Sequence, residues 1–404
     1  TRRRSGTGSV RAYDTSAGER WYIVYRVPDP ATGKTRQKIE RGFTSPTKAE
    51  RALRERLVKV DRGEYVEPSK RPTREYLAEW IAGLRNEPST VASYRRNIEL
   101  HVVPRIGGTP LSAVTGPQLT ALYTELEATG RADGRDGGLS ARTTRYIGTI
   151  LHRAFRDAVE AGLLTVNPAD RAKGPTAKQS QPPEMKTWTA EELRSFLDWS
   201  ASVDDDLAVA WRLLAMTGMR RGEVLALRWS DVDWSLSSLS IRRSTGVVRV
   251  RGEGERVITG LPKSGKSRVV DLDPQTLAVL KAYRAARASL SLLLVRDDAL
   301  VVSNPDGKAR HPERFSREFV RRMERCQRDL TEDKRTPPST VRLHDLRHTH
   351  ATLALTAGIH PKVISERLGH AKVSITMDVY SHALPSMQRE AAAAMAALVY
   401  GEVR

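Results

Sequence analysis

The sequence is poor in what would staple a fold or hold it in a membrane. It has one cysteine in 404 residues, Cys326, which excludes an intrachain disulfide framework and leaves no thiolate cluster for zinc. A reducing cytoplasm, in association with the nucleoid, is the expected location. No apolar run approaches about 18 residues, and the charged start Thr1-Arg2-Arg3-Arg4 has no apolar segment behind it. Neither export nor a membrane span is expected. Thr1 is not an initiator methionine, which leaves open a segment upstream of it. Carboxylates are short as well: 48 Asp and Glu face 67 Lys and Arg, a formal charge of +19. That excess favours association with a polyanion through counterion release, although charge alone does not separate DNA from RNA or an anionic membrane. Arginine supplies 52 of the cations and lysine 15. A guanidinium fork suits bidentate phosphate contacts, and a GC-rich genome would give the same bias.

A hydrophobic content of 39% is enough for real cores, and the length suits two or three domains. The pattern predicts an α+β, multidomain chain. Residues 1–66 read as a small β-sheet backed by one helix. Trp21, Ile23, Tyr25 and Val27 alternate with Tyr22, Val24 and Arg26, Asp29–Lys34 supplies a turn into a strand over 35–43, and Ser45-Pro46 opens a helix with Leu53, Leu57 and Val60 on one face that stops near Gly63. Residues 70–168 carry four helical stripes, led by Leu77, Val91, Leu119 and Ile147, with Asn167-Pro168 ending the last. Their outer faces bear Arg95, Arg96, Arg142, Arg145, Arg153 and Arg156. Residues 169–186 lack apolar periodicity and read as an extended linker. Thr189-Ala190-Glu191-Glu192 is a capping-box match that starts the last domain, 187–404, mainly helical with a small antiparallel sheet over 237–272. There, 260–267 reads as a hairpin tip between 256–259 and 268–272.

The chemistry sits in separated boxes: Thr217-Gly218-Met219-Arg220-Arg221-Gly222-Glu223, then His344-Asp345-Leu346-Arg347-His348, then Leu368-Gly369-His370, and Tyr380 ten residues later. Breaking a phosphodiester without a metal needs an in-line nucleophile, cations for the charge on the non-bridging oxygens, and an acid for the leaving 5′ oxygen. Arg220 and Arg347 can each fork onto a phosphate. Arg347 stands three residues from His344, which puts both on one helical face. Tyr380 offers a phenol, a poor nucleophile near neutral pH unless cations surround it. Glu223 is expected to pair with or orient an arginine, and Arg221 to point elsewhere than Arg220.

In type, order and spacing these boxes resemble the tyrosine recombinase (phage integrase) family. The resemblance implies that Arg220 and Arg347 are the phosphate-binding pair, that His344 is a general base or hydrogen-bonding partner, and that His370 contacts the phosphate. It implies that Tyr380 is the nucleophile and that a lysine on the hairpin is the acid. Lys263 fits that place best and Lys266 is its rival. It also implies an arm-type DNA-binding domain at 1–66, a core-binding domain at 70–168 and a catalytic domain at 187–404. The partners implied are double-stranded attachment-site DNA, a homotetramer on it, a DNA-bending host factor and an excision factor. A C-terminal helix over 386–400 would dock on a neighbouring protomer. No cofactor and no metal are expected.

Other readings are weaker. The stretch 260–267 looks like a phosphate-cradling loop, with Gly260 five residues before Gly265-Lys266, but it falls between strands instead of opening a helix. The histidines at 344, 348 and 350 suggest a metal, yet Asp stands at 345 where H-E-x-x-H needs Glu. A type IB topoisomerase shares the tyrosine attack, and a non-enzymatic DNA-binding regulator could reuse the fold. The long N-terminal region disfavours the first and the intact set of boxes the second.

Overall fold

Alternation with period two builds the first element group. The computed structural model describes residues 8–16, 18–28, 35–62, 70–182, 185–250, 254–262, 265–370, 372–374, 377 and 387–401. Its contacts divide the chain into two units, 1–182 and 183–404.

In the first unit, strands β1 (Ser9–Thr15), β2 (Gly18–Pro28) and β3 (Thr35–Phe43) form an antiparallel sheet in that order. Ile23, Tyr25 and Val27 of β2 bury one sheet face against Ala49 and Leu53 of helix α1 (Pro46–Asp61). Ser45 caps α1 by accepting from the Lys48 backbone N–H at 3.3 Å, and Pro46 occupies a first-turn position where its missing N–H costs nothing. The turn expected over 29–34 and the stop at Gly63 lie outside the described residues.

The helical stripes become α2 (Thr73–Gly83), α3 (Pro88–Asn97), α4 (Val103–Ile106), α5 (Gly116–Thr129) and α6 (Ala141–Glu160). Leu77, Ile98, Leu119, Leu122, Ile147, Leu151 and Phe155 meet in one core. The second stripe is not one regular helix, because a π-helical turn over Ile98–Val102 separates α3 from α4. Helix α6 ends at Glu160, short of the expected Asn167-Pro168. Asn167 instead accepts from the Ala169 N–H at 2.9 Å and caps a separate 3-10 turn. Beyond that turn, the Lys173 N–H donates to Thr120 Oγ1 at 2.9 Å and Arg145 donates to the Pro175 carbonyl at 2.8 Å. The start of the segment expected as a linker is therefore tied to α5 and α6. Arg145 is committed to that tie, and Arg153 lies over the Trp80 ring at 6.0 Å, while Arg96 and Arg142 remain exposed.

In the second unit the Thr189–Glu192 capping box forms and opens α7 (Ala190–Ser202). Helices α8 (Ala208–Thr217), α9 (Arg221–Leu225), α10 (Pro274–Leu290), α11 (Pro312–Glu332), α12 (Asp345–Thr356) and α13 (Pro361–Leu368) follow, and a further helix spans Met387–Tyr400. Trp188, Phe196, Trp211, Phe315 and Phe319 pack edge to face and offset in the core. Truncating one of them to Ala would cost about 3–5 kcal/mol.

The expected hairpin across 260–267 is corrected. Strands β4 (Val232–Asp233), β5 (Ser238–Ile241) and β8 (Arg268–Asp271) make one sheet, whereas β6 (Ser244–Val250) and β7 (Gly254–Gly260) make a separate ribbon. β7 pairs with β6 in the register Ser244↔Gly260, and β8 pairs with β5 in the register Ser238↔Asp271. Burial decides the partners: Val270 of β8 is buried with Leu239 of β5, while every residue of β7 is exposed. The strands on either side of 260–267 thus belong to different sheets, β7 to the ribbon and β8 to the three-stranded sheet.

Candidate phosphate-handling site

Two helix ends build the site. Helix α8 stops at Gly218, which turns the chain out at φ +65°, a left-handed conformation that disfavours a side chain. A Cβ there would also sit 2.5 Å from Leu368 and 2.8 Å from the His350 ring. Helix α13 stops in the same way at Gly369, φ +66°. Arg347, in the first turn of α12, is buried and spans both ends. Its Nη1 donates to the Gly218 carbonyl and its Nη2 to the Leu368 carbonyl, each at 2.7 Å. Carbonyl oxygens accept these two bonds, and the C-terminal end of a helix favours a cation.

Arg220 stands in extended conformation just before α9. Its backbone N–H donates to Glu223 Oε2 at 2.8 Å, its Nη1 to Glu223 Oε1 at 2.9 Å, and its Nη2 to the Gly369 carbonyl at 3.4 Å. Glu223 is wholly buried and also receives both Nη atoms of Arg268, at 3.0 and 2.7 Å. Burial pushes the Glu223 carboxyl up, but the Arg268 fork and the Arg220 groups outweigh it and hold the pKa below the ordinary carboxylate value. Arg268 Nε donates to the Arg367 carbonyl at 2.7 Å. Arg221 points elsewhere, to Ser316 and Glu313.

The histidines gather beside these arginines. His344 precedes α12, and its ring meets that of His348 edge to face at 5.0 Å. The His370 N–H donates to the Ser365 carbonyl at 3.0 Å just past α13. Burial first, then neighbouring cationic groups, lower the pKa of both His344 and His370 to about 4. Arg347 and Arg220 contribute at each. Both imidazoles are therefore neutral near pH 7, able to accept as well as donate a hydrogen bond.

Arg220, His344, Arg347 and His370 are thus brought together. Lys263 and Tyr380 lie outside the described residues, whereas Lys266 is described and exposed. Sequence reasoning missed Arg268, since nothing local marks an arginine at a strand start as the partner of an acid 45 positions away. It also missed Asp345, buried and bound by the Arg342 backbone N–H and guanidinium at 2.8–3.0 Å, which fixes the start of α12. Two guanidiniums with neutral imidazoles alongside are a donor set of the kind that suits the oxygens of a phosphate.

The phage integrase family model matches residues 186–387, and an Arm DNA-binding domain model matches residues 12–60. The ICEBs1 integrase of Bacillus subtilis (strain 168) is 30% identical over 259 residues, 63% of this chain and 65% of that protein. The integrase of Mycobacterium phage D29 is 25% identical over 406 residues, 98% of each chain. Among solved structures, the Tn1549 transposon integrase in complex with a circular intermediate DNA covers 80% of this chain and 98% of its own, with TM-score 0.64 and 19% identity. A lambda integrase dimer bound to a core site covers 91% of this chain and 94% of its own, with TM-score 0.52 and 19% identity. At such identity the structural likenesses bear on the fold. With half of its length matched by the family model and the arginine–histidine array assembled in that half, the chain belongs to the phage integrase family, the tyrosine recombinases.

Proposed function

We propose that the chain is a site-specific DNA integrase in which Tyr380 attacks a DNA phosphate. The attack forms a 3′-phosphotyrosyl bond and releases a 5′ hydroxyl, which then attacks the partner strand's covalent junction. Arg220 and Arg347 hold the non-bridging oxygens, His344 as a neutral imidazole is the base that takes the Tyr380 phenol proton, His370 bonds the phosphate, and Lys263 gives a proton to the departing 5′ oxygen. The phosphotyrosyl bond keeps the energy of the broken ester, so the exchange asks for no high-energy cofactor.

The observation that carries this reading is the convergence of Arg220 and Arg347 on the carbonyls that close α8 and α13, with His344 and His370 near enough for both arginines to lower the imidazole pKa values. In the same reading residues 1–66 bind distal arm sites, 70–168 clamp the core site, 169–186 link, and 187–404 carry the chemistry. The match of an Arm DNA-binding domain model over 12–60 supports the first of these roles. Lambda integrase has been solved as a tetramer bound to a Holliday junction. A homotetramer on paired attachment sites, assisted by a DNA-bending host factor and an excision factor, is the corresponding assembly for this chain.

Tyr380→Phe tests the reading, because it removes only the phenol oxygen. On a nicked suicide substrate the wild type should give a protein band shifted by covalent DNA under denaturing electrophoresis, and the variant should bind the same DNA without the shift. An equal shifted band from the variant would sink the assignment.

A further inference from the structure

Arg268 lies outside the boxes that point to phosphate chemistry, yet it is joined to them on three sides. It opens β8, five residues after Lys263 in the sequence. Its fork closes on Glu223 at 3.0 and 2.7 Å, its Nε closes on the Arg367 carbonyl at 2.7 Å, and its guanidinium lies 3.0 Å from where a Cβ on Gly369 would stand. Glu223 is the same carboxylate that takes the backbone N–H and Nη1 of Arg220.

We propose that Arg268 is a positioning residue for the phosphate-binding arginine: it takes up the charge of Glu223, so that Glu223 can orient Arg220 without neutralising it. One carboxylate shared by two guanidiniums leaves the cluster with a net positive charge. Remove Arg268, and the buried carboxylate has only Arg220 to pair with, which turns that guanidinium from the phosphate toward Glu223. The Nε bond to Arg367 and the packing on Gly369 fix the carbonyl that receives Arg220 Nη2. Arginine is required here because a lysine cannot fork onto both Glu223 oxygens and reach the Arg367 carbonyl as well.

The inference rests on the cleavage reading above, and the test separates the two. Covalent complex formation is timed in a single turnover on nicked DNA with either a natural scissile phosphate or a neutral methylphosphonate. Arg268→Gln, assayed well below a thermal midpoint that loss of the buried pair lowers, should retain DNA binding and should cleave the natural phosphate about 100-fold more slowly, the scale of a misplaced catalytic group. On the methylphosphonate, which needs less cationic help, the gap to wild type should shrink to a few-fold. Glu223→Gln added to Arg268→Gln should slow the natural reaction no further, because the carboxylate that captures Arg220 has gone. If Arg268→Gln does not fold, Arg268→Lys carries the same comparison with a smaller defect. A wild-type rate for the Arg268 variants, or an equal defect on both substrates, would overturn the inference. Failure of the wild type itself to form the covalent complex would instead overturn the cleavage reading.

Discussion

In residues 1–182 acids meet their arginines at the surface or only part-buried, as Glu40 meets Arg56. Arg51 and Glu55 pair at 3.2 Å with side chains 82% and 56% exposed, Arg131–Asp133 is likewise at the surface, and no carboxylate is buried among the described residues of that unit. In residues 183–404 four carboxylates are all but sealed from water, and each is held by arginine: Asp205 by Arg322, Glu223 by Arg268 and Arg220, Asp231 by Arg243, and Asp345 by Arg342. The same residue types thus do different physical work. Exposed pairs contribute little, because water screens them and ordering two long side chains costs entropy. Buried pairs are costly to create and costlier to break, so they fix one arrangement of the chain around them. The first unit is specified by its apolar stripes and the second by satisfied charge as well.

The comparison breaks most visibly at Glu223. Glu223→Ala strips two guanidiniums of their shared partner and should destabilise the protein by about 3–5 kcal/mol. Denaturant titration would check it; a loss under 1 kcal/mol would mean that the pair is held together no more tightly than a surface one.

Acid should probe the same contrast through the histidines. His350 donates from Nδ1 to the Ala215 carbonyl at 2.9 Å, while its Nε2 is buried without a hydrogen-bond partner among the described residues. Burial lowers its pKa to about 4. Above pH about 6.5 both folded and unfolded forms are neutral; between about 6.5 and 4 the unfolded chain binds the proton first, so folding stability falls as pH falls and levels off below 4. For His350 the full loss is roughly 3 kcal/mol, with His344 and His370 adding to it in the same direction. His350→Asn, whose amide can still donate to Ala215, should flatten the acid limb of a plot of Tm against pH. A limb as steep as that of the wild type would remove His350 from the account.

At the small end, Arg51→Ala should change stability by no more than about 0.5 kcal/mol, with no dependence on salt beyond that. A loss of 2 kcal/mol there would erase the distinction between the units.

Local signals were legible wherever a residue's partner lies within a turn or two. Ser45 announced α1, Thr189 and Glu192 announced α7, and the alternation at 21–27 announced β2, because caps and faces are decided by near neighbours. The boxes around Arg220, Arg347 and His370 were legible because their spacing is itself the signal. What stayed hidden depends on distant partners. The strand over 256–259 has the same local pattern whether it pairs forward with 268–271 or back with 244–250, and only the burial of Val270 beside Leu239 selects the latter. The π-helical turn at 98–102 keeps the apolar faces that a regular helix would have shown. Arg268 gives no local hint of Glu223, since the pairing is made by β8 meeting α9 across the fold.

Arg347 clasps the last carbonyls of two separate helices, α8 through Gly218 and α13 through Leu368. Fraying of either helix end releases the same side chain, so neither end can open while the other keeps its full set of bonds. The local opening equilibria of the two segments are therefore linked, and amide hydrogens in the last turns of α8 and α13 belong to one cooperative exchange unit. One side chain thus makes the ends of two helices that are far apart in sequence share a single opening step.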